Sequence, residues 1–113
     1  MGFLTKSTLA NVDDFRYEVV PCPEWGCDAR VRGLSAADQA FVSRLVNDKK
    51  TEDIAINVVI RGVVDENGNR IFDSGDKDML KLKSYAVIDR LAKKILELSG
   101  SGDPDAVDNA RKN

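Results

Sequence analysis

The sequence predicts an α+β fold in which a short N-terminal antiparallel hairpin packs on a small helical bundle. Three observations carry this prediction. Apolar and charged residues alternate before residue 35, apolar residues recur at helical spacing in later segments, and an Asn-Gly pair separates two predicted short strands. With 113 residues, of which 42% are hydrophobic, the chain has material for one modest core. We therefore expect a single domain over residues 1–100.

The first hairpin is predicted after a mobile N-terminus, residues 1–13, that holds at most one loose turn. In the run from Phe15 to Val20, Phe15, Tyr17 and Val19 alternate with charged residues. This pattern predicts a half-buried strand whose buried face carries these three side chains, and prolines confine its end to a sheet edge. The run from Cys27 to Leu34 alternates again beyond a Pro/Gly turn, which completes a hairpin.

Helices are predicted further along the chain. Ser35 is a good N-cap for a helix that reaches about Val46 and carries Phe41 on its apolar face. Asp73 and the serine after it cap a second helical region. The longest helix starts at Ser84, has a broad apolar stripe, and is stopped by a glycine at position 100.

The segment Thr51–Val64 has apolar residues at spacings that fit either a β-strand or an α-helix. Its isoleucines and valines alternate like a β-branched strand, and local propensity slightly favours that reading. Ile56, Val59 and Ile60 also fit a helical stripe, and the acidic residues at its start suit a helix N-terminus. These apolar side chains suit either a core, which is the commoner case, or an oligomer face.

A second short hairpin is predicted over residues 63–72, because Asn67-Gly68 is a strong hairpin-turn signal. Asp65, Asn67 and Asn69 resemble the opening of a calcium-binding EF-hand loop. However, Arg70 stands where that loop needs glycine. We expect a plain hairpin turn without a metal.

Composition narrows the classes of function. A net charge of −2 and a pI near 5.1 make the chain a poor nucleic-acid binder, and no apolar run approaches a membrane span. There is no histidine, which is the commonest general base and metal ligand. Cys22 and Cys27, with four residues between them, are expected to be free thiols in a reducing cytosol, the alternative being an incidental cross-strand disulfide in oxidised preparations. We therefore expect no enzyme activity, no catalytic residues, no metal and no cofactor.

With catalytic, metal and cofactor sites set aside, the kind of site that we expect is one that binds a partner protein. The single tryptophan, Trp25, sits at the predicted hairpin tip, where it either folds back over the core or anchors a partner. The candidate partner-binding residues are Trp25, Phe41, Ile56, Val59 and Ile60.

The order of short motifs along the chain resembles the tail assembly chaperones of long-tailed bacteriophages, chiefly those of HK97-like and actinobacterial phages. The similarity spans nearly the whole chain, and its best parts are Trp25-Gly26 before Val31–Ser35 and the hairpin at 63–72. The matching segments, in order, are Phe3-Leu4-Thr5, Pro23–Gly26, Val31–Ser35, Val63–Phe72, Lys83-Ser84, Asp89–Leu91, Leu98–Gly100 and Ala110–Asn113.

The resemblance implies a helix over residues 51–62, against local propensity. It also implies a non-catalytic protein of the host bacterial cytoplasm that binds the tape measure protein in many copies, forms homo-oligomers and is absent from the mature virion. Many such proteins have a longer, frameshifted form that recruits the major tail tube protein, and residues 101–113 would be a flexible joint for it. The alternative class is a structural tail completion or head–tail connector protein.

Overall fold

The computed structural model describes residues 2–50 and 53–101, apart from the side chain of Ser101. Within them lie three strands and five α-helices, which confirms the predicted α+β fold. The strands are β1 (Tyr17–Cys22), β2 (Cys27–Arg32) and β3 (Val63–Val64), and the α-helices are α1 (Lys6–Ala10), α2 (Ala36–Asn47), α3 (Ile54–Gly62), α4 (Lys77–Lys81) and α5 (Tyr85–Leu96). Short 3₁₀ turns at Pro23–Trp25 and Ser74–Asp76 and a wider turn at Glu97–Ser101 complete the described elements.

The sheet is antiparallel, in the order β1-β2-β3. Helix α5 contacts β1 and β2, and α3 packs behind α5 and against α2 and α4. The predicted cap of α2 is confirmed, because the Ser35 hydroxyl accepts a hydrogen bond from the Asp38 backbone N–H. The Asp38 side chain does not complete a capping box. It binds Arg61 of α3 instead, at 2.7 Å.

The buried face of β1 is opposite to the one predicted. Val20 and Cys22 are buried, whereas Val19 is 57% exposed. Phe15 and Tyr17 lie on the outer face, each under an arginine guanidinium of β2, 4.2 Å from the ring centroid. The prediction was wrong because these cation–π contacts satisfy aromatic rings on the solvent side of a hairpin.

The hairpin pairs Cys22 directly with Cys27 across β1 and β2. Both thiols are free, as predicted, and only that of Cys22 is buried. Burial raises the pKa of the Cys22 thiol, so it is less readily ionised than an exposed one.

Residues 54–62 form a helix, as the resemblance implied, and local propensity for a strand was overridden. The reason is that α3 is buried on nearly every side, with Arg61 alone half-exposed. A helix surrounded by protein shows no polar stripe, so its pattern resembles a buried strand. Gly62 permits the close contact with α5, since a Cβ added there would lie 2.5 Å from Ile95 side-chain atoms.

The second hairpin is present but short, and its first strand extends the main sheet. Val63 and Val64 pair with β2, while Val64 and Arg70 form a single bridge. Gly68 alone takes a positive φ in this turn, at +84°, and Asp65 Oδ1 accepts hydrogen bonds from the N–H groups of Asn67 and Asn69. The turn is thus a three-residue hairpin loop with a glycine bulge.

The end of the described chain also follows the prediction. Helix α5 gives way to the wide turn Glu97–Ser101, in which Gly100 has a φ of +91°. The predicted flexible segment 101–113 lies outside the described residues, apart from the backbone of Ser101, and stays a prediction.

Candidate functional site

Three of the five predicted partner-binding residues lie in the core. Val59 is 0%, Ile60 3% and Ile56 7% exposed, all on α3. Their burial agrees with the expectation that apolar side chains of this segment are most often core. Their role in partner binding stays a prediction.

Phe41 is half-buried at the junction of α2 and α3. The guanidinium of Arg61 lies 3.9 Å from the centroid of its ring, and that of Arg44 lies 5.6 Å away. Arg61 also binds Asp38, so it joins two residues of α2 to α3. The surface of Phe41 is therefore largely covered by cationic groups of its own chain.

Trp25 is half-buried at the hairpin tip, where it packs against the core and borders an open cleft. Glu24 fixes this tip, because its carboxylate accepts two hydrogen bonds from Arg90 of α5, at 2.9 and 2.5 Å. Arg90 also donates to the Pro21 carbonyl at 3.3 Å. Pairing with Arg90 lowers the pKa of Glu24 to about 2, so the clamp is ionised at neutral pH.

Two adjoining clefts meet over Leu80 of α4. The larger, of about 400 Å³, is lined by Glu24, Trp25, Phe72, Met79, Leu80 and Lys83. The smaller, of about 170 Å³, shares Leu80 and Lys83 and is bordered by Ala55, Ile56, Tyr85 and Ile88. We call the two clefts together the α4 groove. It places Trp25 and Ile56 in opposite halves of one site.

Large apolar side chains stand exposed around the α4 groove. Met79 is 46%, Tyr85 56% and Leu82 87% exposed. Ile71, next to Phe72 of the groove, is 52% exposed. A cluster of this kind, rimmed by lysines, is typical of a protein-binding surface.

An ion triad anchors α4, which is too short to be stable alone. Asp53, the residue before α3, binds Lys77 at 2.9 Å and lies 3.5 Å from the ammonium of Lys81. Asp53 is only 15% exposed, and its hydrogen bond with Lys77 lowers the pKa of its carboxyl. Helix α4 is therefore held against α3 by charge as well as by the buried Leu80.

In the part of the chain that the structure describes, no three His, Cys, Asp or Glu side chains are placed to hold a metal ion. No helix within that part is both long and apolar enough to cross a membrane.

Sequence reasoning found Trp25 and Ile56 but missed Phe72, Met79 and Leu80. Helix α4 has five residues, fewer than two turns, so no helical period can be recognised there. The one available signal was the alternation of leucine and lysine from position 80 to 83, which places large apolar side chains in a highly charged segment.

The fold and the groove define a small α+β protein with an open, largely apolar groove beside α4. A family model described as phage tail assembly chaperone matches residues 4–113, and the chain belongs to that family. Its fold is similar to that in the structure of the bacteriophage HK97 tail assembly chaperone, with a TM-score of 0.62 and 24% identity over 86% of this chain and 95% of that chain. No match was found among curated proteins. The predicted family and fold are thus confirmed.

Proposed function

We propose that this tail assembly chaperone binds the tape measure protein and keeps it soluble while the tail tube is built. Family membership supports the general role, and the α4 groove is the observation that carries the specific one. The groove offers a tryptophan, a phenylalanine and a methionine to a partner, which are residue types enriched at protein interfaces.

The chemistry of the groove fits an amphipathic helix. Such a helix presents apolar side chains at positions i, i+3, i+4 and i+7, and these enter adjoining apolar pockets. The two halves of the groove provide successive pockets on either side of Leu80. Methionine adapts to varied apolar shapes, so Met79 allows one chain type to accept many different segments of a long client.

Each α4 groove is small, so docking in it would bury little surface of the tape measure protein. We therefore expect one copy of the chaperone to bind weakly and many copies together to bind tightly. Copies that contact one another on one rod gain avidity from their raised effective concentration. The proposal therefore includes self-association, action in the host cytoplasm and release before the virion is complete. Abundant protein in purified virions, detected by mass spectrometry, would contradict the release step and favour a tail completion or connector role.

Co-expression tests the proposal. The tape measure protein is produced with and without this chain, and its soluble fraction is measured after centrifugation. We expect the chain to keep most of the tape measure protein in the supernatant. Equal aggregation in the two cultures would refute the proposed function.

A further inference from the structure

The two cysteines of the chain lie opposite each other at the tip of the first hairpin. Cys22 ends β1, Cys27 begins β2, and the two residues pair directly across the sheet. Side chains of directly paired residues project from the same face of a sheet. Both thiols are free; that of Cys22 is buried and that of Cys27 is exposed. The hairpin thus holds two reduced sulfur atoms close together, one enclosed and one open to solvent.

The backbone separation of this pair suits a disulfide bond. Residues directly opposite each other in an antiparallel pair have Cα atoms about 4.5–5.5 Å apart. Disulfides join Cα atoms about 4.4–6.8 Å apart, so a cross-strand pair lies within their range. The two thiols also act on each other electrostatically, because a charged Cys27 raises the pKa of Cys22. That influence falls off with distance, so it agrees with a short separation of the two sulfur atoms.

A bond between the two sulfur atoms would close a ring around the hairpin tip, residues 23–26. The turn is already tight, because Gly26 has a φ of +70° and its N–H donates to the Pro23 carbonyl at 3.1 Å. The tip also contains Glu24, which is clamped by Arg90, and Trp25, which borders the α4 groove. A covalent ring would hold Trp25 in place even where the ion pair of Glu24 with Arg90 is broken.

The different burial of the two thiols sets the order in which they react. Cys27 is open to a small disulfide in solution, whereas Cys22 is 0% exposed. Cys22 therefore reacts with a sulfur atom that Cys27 presents to it rather than with a dissolved reagent. Burial raises the pKa of the Cys22 thiol, while the guanidinium of Arg90 acts in the opposite direction. Arg90 thus favours the Cys22 thiolate, which is the form that attacks a disulfide.

We propose that Cys22 and Cys27 form a reversible intramolecular disulfide that locks Trp25 at the hairpin tip. The oxidant is a low-molecular-weight disulfide such as oxidised glutathione. In a reducing compartment the pair stays in the thiol form, and the bond forms when the ratio of disulfide to thiol rises. The inference concerns the chain alone and does not depend on binding of the tape measure protein.

The reaction consists of two thiol–disulfide exchanges. Cys27 gives up its proton, and its thiolate attacks one sulfur of the small disulfide. The S–S bond breaks, a small thiolate leaves and takes up a proton, and Cys27 carries a mixed disulfide. Cys22 then gives up its proton and attacks the sulfur of Cys27, which releases the second small thiolate to be protonated in turn. Two protein thiols are oxidised, and one small disulfide is reduced to two thiols.

Oxidation of the full-length chain by excess oxidised glutathione tests the bond. Remaining thiols are blocked with iodoacetamide in denaturant, and the intact mass is measured. We expect wild type to lose the mass of two hydrogen atoms, to carry neither glutathione nor the blocking group, and to regain two reactive thiols with dithiothreitol. A stable glutathione adduct, two free thiols after oxidation, or a disulfide between two copies would overturn the inference.

Single-cysteine variants test the order of reaction. Cys22→Ala keeps the exposed thiol, so we expect it to stop at one glutathione adduct. Cys27→Ser changes an exposed residue and keeps only the buried thiol, which we expect to react at least about tenfold more slowly than the thiol of Cys22→Ala. The first exchange of wild type gives the reference rate if Cys22→Ala does not fold. A rate for Cys27→Ser equal to the reference would show that Cys22 is open to dissolved reagents, which contradicts the proposed order.

The lock is tested by the quenching of Trp25, the single tryptophan, by acrylamide. Glu24→Gln breaks the clamp, so we expect its reduced form to be quenched about twofold more readily than reduced wild type. Oxidation should return Glu24→Gln to the wild-type value. It should also raise the melting temperature of both proteins by at least about 3 °C, because closing a ring restricts the unfolded chain. Oxidised Glu24→Gln that is quenched like its reduced form, or unchanged melting temperatures, would show that the bond does not lock the tip.

Discussion

Glu24 at the hairpin tip and Arg90 on α5 are joined by two hydrogen bonds between residues 66 positions apart. The pair places Trp25, the neighbour of Glu24, at the edge of the α4 groove. A surface ion pair ordinarily contributes little to stability, but a bidentate arginine–carboxylate contact also fixes the relative orientation of the two side chains. Its main role here is thus to position the tip of the hairpin.

The pH dependence of stability reports on this clamp. The folded-state pKa of Glu24 is about 2, below its ordinary value of 4.5. A lowered pKa means that the ionised group stabilises the fold above pH 4.5, and that this contribution is lost as the pH falls through about 2. We expect the melting temperature of wild type to fall more steeply than that of Glu24→Gln across this range. Parallel curves would show that the clamp adds nothing to stability.

The ion triad of Asp53 should control the order of α4. Asp53→Asn removes the charge that holds Lys77 and Lys81, and we expect a loss of about 1–2 kcal/mol and faster hydrogen exchange of the α4 amides. Asp48→Asn, at an exposed position after α2, is the matched control. Unchanged exchange in α4 would mean that the buried Leu80 alone secures this helix.

Gly62→Ala tests the contact between α3 and α5. Helix propensity alone favours alanine by about 1 kcal/mol, whereas the new Cβ would lie 2.5 Å from Ile95. Steric conflict in a packed core outweighs that gain, so we expect a net loss of about 1–3 kcal/mol in the free energy of unfolding. Gly2→Ala, where a Cβ would meet nothing within 4 Å, should be neutral. A stabilised Gly62→Ala protein would show that the two helices move apart easily.

Deletion of residues 101–113 tests the predicted domain boundary. The segment has few apolar residues, Ala106, Val107 and Ala110, so we expect the melting temperature to stay nearly unchanged. A large drop would show that the segment is part of the core.

The frameshifted form is a separate prediction for the same end of the chain. Lys112 and Asn113 can be encoded by A-rich codons that form a slippery sequence. We expect mass spectrometry of infected cells to show a minor longer product that shares this N-terminal sequence and recruits the tail tube protein. The frameshift prediction fails if only the 113-residue product appears and the coding sequence has no slippery heptamer.

Structural features that depend on neighbouring residues in the chain could be predicted from the sequence, and features that depend on distant residues could not. The cap at Ser35, the turn at Gly68 and the end of α5 before Gly100 follow from nearby backbone chemistry, and the structure has all three. The helix α3 did not follow from local propensity, because its surroundings decide its conformation. The face of β1 was likewise decided by contacts with β2, which the strand's own alternation does not encode.

Only part of the candidate site could be predicted from the sequence, because the residues that form it are far apart in the chain. Trp25 was noticed because a lone tryptophan at a predicted turn is conspicuous. Its neighbours in the larger cleft come from positions 72 to 83. Helix α4 among them is held by α3 and by Asp53, which binds Lys77 over a separation of 24 positions in the chain. Contacts between residues so far apart in the chain depend on how the core packs, which short sequence motifs do not show.

Recovery of a tagged tape measure protein from cells that co-express each variant tests the central claim most directly. Met79 is 46% exposed, so Met79→Glu should leave the fold intact, as its melting curve will verify. The control is Ser43→Glu, which places the same charge at an exposed position of α2, away from the groove lining. We predict that wild type and Ser43→Glu co-purify with soluble tape measure protein, while recovery with Met79→Glu falls at least about tenfold. Equal recovery with Met79→Glu and wild type would contradict binding through the α4 groove.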